Sequence, residues 1–166
     1  AYAARMLLAL VVAYVGMQLP RPAVAMEPLT ALDYIEIQQL VNRLNFALDY
    51  CGNGGRDFAA LFTDDGQYVV DEGDGKPRTF RGLQPLAALA GGPDCAATRT
   101  PPRVYLAHLA ESLVIEATPG GARGVSYAIY PGRKGKFFPD GAAGQVGLYH
   151  DQYVRSGKGW RLHLRR

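Results

Sequence analysis

Ile37, Leu40, Val41, Leu44 and Leu48 recur at i, i+3, i+4, i+7 and i+11, the stripe of a helix with one buried face. Thr30 stands before that stripe as an N-cap, and Asp33, three residues on, can return the hydrogen bond. The pattern predicts a helix over 31–49, stopped by Cys51-Gly52-Asn53-Gly54-Gly55. Two shorter helices are predicted over 56–62, with Phe58, Leu61 and Phe62 inward, and over 83–90, with Pro85 in the first turn where proline is tolerated. Between them Asp64-Asp65-Gly66 turns the chain into a strand at 67–70, and a short strand at 78–81 follows a polar turn. From residue 103 the pattern changes to strands. A hairpin of 103–117 with 124–130 is expected across Pro119-Gly120-Gly121, and one of 145–156 with 160–165 across Gly157-Lys158-Gly159. Three helices followed by a meandering antiparallel sheet is an α+β order.

The 166 residues suit one domain, and 48% hydrophobic with 20% charged residues is a globular composition. Eighteen Lys and Arg against 15 Asp and Glu give a net charge of only +3, without a clustered basic face, so nucleic acid is not an expected partner. The first 25 residues read differently from the rest. Arg5, the short apolar run 6–17, the helix breakers Pro20 and Pro22, and the small residues Ala23-Val24-Ala25 form an export-signal pattern. The apolar run is too short for a spanning helix, so cleavage is expected, with no stable membrane insertion afterwards. The expected organisation is a signal peptide at 1–25 and a domain at 26–166, exported to a periplasm or secreted. Cys51 and Cys95 are then in a compartment where a disulfide persists. Closing that loop would stabilise by about 4 kcal/mol on loop entropy; two thiols are the alternative.

Several stretches carry a resemblance. Leu29 to Leu40, then Ala47-Leu48-Asp49, then Phe58 to Gly66, followed by Gly82, His108, Gly147-Leu148-Tyr149 and Gly159-Trp160-Arg161, resemble in order the SnoaL-like branch of the nuclear transport factor 2 superfamily. The similarity spans residues 29–166. It implies three N-terminal helices packed on a strongly curved antiparallel sheet, a cone-shaped α+β barrel around an apolar pocket. Relatives include scytalone dehydratase, ketosteroid isomerases, polyketide cyclases and binding modules without chemistry. It also implies a homodimer through the outer sheet face, where Leu109, Leu113 and Ile115 are expected to lie.

Within the pocket, period two places Val104, Leu106, His108, Ala110, Ser112 and Val114 on one strand face, with His108 the only polar ring among them. Imidazole is the side chain that exchanges a proton near neutral pH, and a buried structural histidine is the bland alternative. The resemblance sets His108 at a catalytic histidine of scytalone dehydratase. Asp49 sits at the carbonyl end of the first helix, where a negative charge needs another partner. It could cap the following turn, meet Arg56, or orient His108 as the dehydratase's pocket aspartate does. Tyr149 falls where that enzyme binds substrate with an asparagine, and its phenol could hold an oxyanion; Tyr127 is a weaker candidate. Leu48 and Val70 stand where the dehydratase has tyrosines, and Leu44 where ketosteroid isomerases have one, so neither activity transfers intact. No cofactor or metal is expected: the three histidines are scattered, and no phosphate loop or nucleophile elbow occurs. The segment holding Arg133, Lys134 and Lys136 reads as a solvated flap. The sequence thus supports a cofactor-independent lyase or isomerase for a small apolar cyclic compound, with His108, Asp49 and Tyr149 as catalytic residues. The alternative is an exported, non-catalytic binding module for a small apolar ligand.

Overall fold

The computed structural model describes residues 26–71, 75–91, 108–130 and 145–166. The expected leader at 1–25, Cys95, the strand start at 103–107 and the basic segment at 131–144 lie outside the described residues. Helix α1 spans Ala31–Tyr50. Its capping box is formed: the Thr30 N–H donates to Asp33 Oδ2 at 2.8 Å, and the Asp33 N–H to Thr30 Oγ1 at 3.3 Å. Asp33 also accepts from the indole Nε1–H of Trp160 at 3.0 Å and pairs with Arg155. One buried carboxylate therefore starts the helix and fastens it to the last hairpin. Cys51 ends α1 in the left-handed region at φ 55 and is a disulfide cysteine.

A 3-10 turn at Gly52–Gly55 leads into α2, Arg56–Ala59, and α3 spans Leu83–Gly91. Gly55 has φ +82, and a Cβ there would lie 2.0 Å from the Ala87 carbonyl oxygen, so only glycine lets the turn touch α3. The strands are β1 Phe62–Val70, β2 Arg78–Arg81, β3 Leu109–Thr118, β4 Gly121–Tyr130, β5 Gln145–Ser156 and β6 Gly159–Arg165. β1 begins five residues before the expected strand, and α2 is correspondingly short. Phe62 pairs with Leu162 rather than closing a helical turn. The six strands form one open sheet in the order β2-β1-β6-β5-β4-β3. All pairings are antiparallel except β1 with β6, which is parallel. The chain reaches that parallel neighbour only after passing through β2, β3, β4 and β5.

The α1 stripe is the core's centre: Ile37, Leu40, Val41 and Leu44 are at most 1% exposed and pack with Phe58, Leu86, Tyr153 and Leu162. Two bulges decide which strand residues join them. In β3, Glu111 opposes Tyr127 and Val114 opposes Val125, so β3 carries one extra residue there, beside Ser112 at φ 56. Beyond that point the alternation is reset. Leu113 and Ile115 turn inward against the core, while Val114 is left 61% exposed on the outer face. This overturns the expected placement of Ser112 and Val114 on the pocket face and of Leu113 and Ile115 on the outer one. In β6, Leu162 opposes Tyr153 but Leu164 opposes Gln152, so His163 is extra and Arg165, rather than Leu164, points into the core.

Candidate functional site

α1 and the start of β3 bring Asp49 and His108 together. The His108 backbone N–H donates to Asp49 Oδ2 at 2.9 Å, and His108 Nδ1 lies 2.5 Å from Oδ1. An ionised carboxylate only accepts, so Nδ1 carries the proton and the lone pair of the neutral ring is on Nε2. Both carboxylate oxygens are thus used on one residue, which fixes the ring's position and its tautomer. The side chains retain 25% exposure for His108 and 11% for Asp49, so the pair is sheltered but reachable. No basic residue occupies the last turn of α1 to offset the charge of Asp49 there; the two N–H groups of His108 do so instead. Among the described residues Asp49 neither caps the following turn nor meets Arg56; of the three options, the contact with His108 is the one formed.

Tyr149 belongs to a second cluster. On β5, Tyr149, Asp151 and Tyr153 alternate inward and are buried, whereas Leu148 and His150 face out. The Arg165 guanidinium lies 4.0 Å over the Tyr149 ring. It donates from Nε to Asp151 Oδ1 at 2.8 Å and from Nη2 to Oδ2 at 2.6 Å, a two-point pair in which both residues are at most 2% exposed. The Tyr153 hydroxyl donates to Asp151 Oδ2 at 2.8 Å. Burial and the Asp151 charge both push the Tyr153 phenol well above the ordinary tyrosine range. Burial works against the Arg165 charge, but the Asp151 carboxylate more than offsets it and holds the guanidinium above its usual value. Tyr127 stands on the outer face, 53% exposed, and is not a pocket residue.

Asn45 links the two clusters and was not singled out in the sequence. It lies one turn before Asp49 on α1, is 8% exposed, and accepts from Arg165 Nη1 at 3.4 Å. Arg165 and Asp151 were missed as well. A charged residue on an inward strand position is the available signal, since Asp151 shares the parity of Tyr149 and Tyr153. For Arg165 the β6 bulge hides it, because unbroken alternation from Trp160 and Leu162 points to Leu164.

The fold and the site define a small α+β cone protein with an aspartate–histidine pair between its first helix and its sheet. The chain belongs to the SnoaL-like domain family, which it matches over residues 30–166. Among solved structures it is similar to an NTF2-like protein with a cystatin-like fold from Novosphingobium aromaticivorans, at 21% identity and a TM-score of 0.59, covering 81% of this chain and 79% of that one. A protein of unknown function with a cystatin-like fold from Nostoc punctiforme gives 22% identity and a TM-score of 0.61, over 84% and 92% of the two chains. ActVI-ORFA from Streptomyces coelicolor gives 22% identity and a TM-score of 0.57, over 82% and 95%. No curated protein matches the chain. At these identities the structural likeness establishes the fold.

Proposed function

We propose that the protein is a cofactor-independent lyase or isomerase that moves a proton on a small apolar cyclic compound. The observation that supports this is the grip of Asp49 on both N–H groups of His108. Asp49 holds both the backbone and the ring of His108, so the imidazole is oriented with its proton on Nδ1, as a positioned proton-transfer group requires. His108 Nε2 would take a proton from carbon or deliver one to a leaving hydroxyl, and Asp49 would stabilise the imidazolium formed meanwhile. Tyr149, packed under Arg165, supports a part in the floor of the site more than direct oxyanion binding.

That same placement of Tyr149 favours the second reading, an exported binding module without turnover. Thermal-shift screening of cyclic ketones, phenols and terpenoids, followed by proton exchange into bound compounds in D2O, separates the two. His108→Gln keeps a hydrogen-bonding side chain that does not titrate, so exchange should fall by about 10²–10⁴-fold with the fold intact. Unchanged exchange in folded His108→Gln would sink the catalytic reading. We also propose export directed by residues 1–25, on the sequence pattern given above, and a homodimer through the outer sheet face, on the exposed apolar residues Val114, Val125, Tyr127, Val146 and Leu148.

A further inference from the structure

We propose that a disulfide between Cys51 and Cys95 positions the Asp49–His108 pair, so that the pair is held under oxidising conditions and released by a dithiol. This rests on the proton-transfer reading of the pair and adds its regulation. Cys51 is disulfide-bonded, and the chain holds one other cysteine, Cys95, so the bond joins these two. Its place in the chain gives it a role beyond stability. Cys51 follows Asp49 by two residues, and Cys95 precedes His108 by thirteen. Asp49 and His108 are 59 residues apart along the backbone. The bond therefore ties the end of the helix that carries the carboxylate to the stretch of sequence that leads into the imidazole.

The last turn of a helix frays, because its carbonyls lack intrahelical donors, and in α1 no basic residue stands there to meet them. Cys51 caps that turn at φ 55 and ψ 33, a conformation usually left to glycine. It is 6% exposed, and its Sγ lies 3.7 Å from the Asp49 carbonyl oxygen and 3.8 Å from that of Leu48. A disulfide sulfur has no proton to donate, so these are packing contacts, and the bridge rests on the backbone of Asp49 itself. Both carboxylate oxygens of Asp49 are spent on His108, one on its backbone N–H and one on Nδ1. A shift of the helix end breaks the two bonds together. The ring then loses the partner that decides which nitrogen carries the proton, and Nε2 is no longer reserved as the base. Reduction supplies that shift. It splits the S–S bond with two electrons and two protons from a dithiol, which is itself oxidised to a disulfide, and leaves two thiols.

Nitrogen-15 NMR of the imidazoles in the full chain tests this without a ligand. In the oxidised protein His108 should show one tautomer, protonated on Nδ1, with that proton exchanging slowly with solvent. After dithiothreitol, with uptake of two alkyl groups by mass spectrometry confirming reduction, His108 should show both tautomers. Its ring proton should then exchange at least about tenfold faster, while His150 and His163 keep their signals. Reoxidation should restore the first spectrum. The double variant Cys51→Ser, Cys95→Ser should give the reduced spectrum from the start and respond no further to dithiothreitol; should it not fold, the reversible reduction of the wild-type chain carries the test alone. Coinciding His108 spectra before and after reduction overturn the proposal. So does a wild-type chain that takes up two alkyl groups before any reductant is added. Loss of all three histidine signals together on reduction also overturns it, because the bridge would then hold the whole fold rather than the pair. The proton-transfer reading fails separately, through turnover that survives in His108→Gln, and that result leaves the hold of the bridge on the wild-type ring as measured.

Discussion

Asp151 accepts from three donors, two on Arg165 and one on Tyr153, and each of the three residues is at most 2% exposed. Such a group is costly to break, because removing one partner leaves the others buried and unpaired. Tyr153 offers a clean readout through pH. Its phenol is raised above the ordinary value of about 10 by burial and by Asp151. A group raised in the folded state contributes stability that is present below the unfolded value and is lost above it. Here the unfolded chain releases the tyrosine proton above about pH 10 while the folded chain keeps it. Urea midpoints should therefore fall between about pH 9.5 and 11, and fall less steeply in Tyr153→Phe. At neutral pH that variant should be less stable by about 1–3 kcal/mol, since Asp151 loses a buried donor. Parallel pH profiles of the two proteins would contradict the assignment. From sequence, the chemistry of this scale was half legible. A lone histidine on an apolar face and a carboxylate at a helix's wrong end both asked for a partner, and they are each other's. Arg165 asked for nothing visible, because its inward direction depends on a bulge.

At the scale of elements, what the sequence gives away is local and what it hides is relational. The α1 stripe and its capping box are encoded within one helix, and they appear at the expected residues. The β3 and β6 bulges exist only in relation to the opposing strand, so period two carried straight through them misplaces Leu113, Val114, Ile115 and Arg165. A one-residue slip exchanges the two faces of a strand. The β3 bulge is stabilised despite a non-glycine residue at φ 56, Ser112, which costs about 1 kcal/mol or more. Ser112→Gly should relieve that cost and raise stability by about 0.5–1 kcal/mol in urea titration. Ser112→Val should lower it, since a β-branched residue tolerates that region worst. A destabilised glycine variant would mean that Ser112 holds the bulge by something other than its backbone.

For the whole molecule, the outer sheet face is apolar, and the β3 bulge adds Val114 to it. Val114 at 61%, Val125 at 38%, Tyr127 at 53%, Val146 at 68% and Leu148 at 50% exposure share the outer face of β3, β4 and β5. Register makes them contiguous: Val114 opposes Val125 and Tyr127 opposes Leu148. Exposed apolar patches of this kind mark interaction surfaces, and the Glu116–Arg123 ion pair at the edge supplies a polar rim. The proposed homodimer would close this face against itself, with Val114 in it rather than Leu113 and Ile115. Light scattering after size exclusion should give twice the monomer mass at micromolar concentration. Leu148→Glu should give the monomer mass, because a carboxylate buried at an interface lacks a partner there. Its circular dichroism should be unchanged, since Leu148 points away from the core. A wild-type chain that runs as a strict monomer would contradict the dimer and leave that face for a different partner.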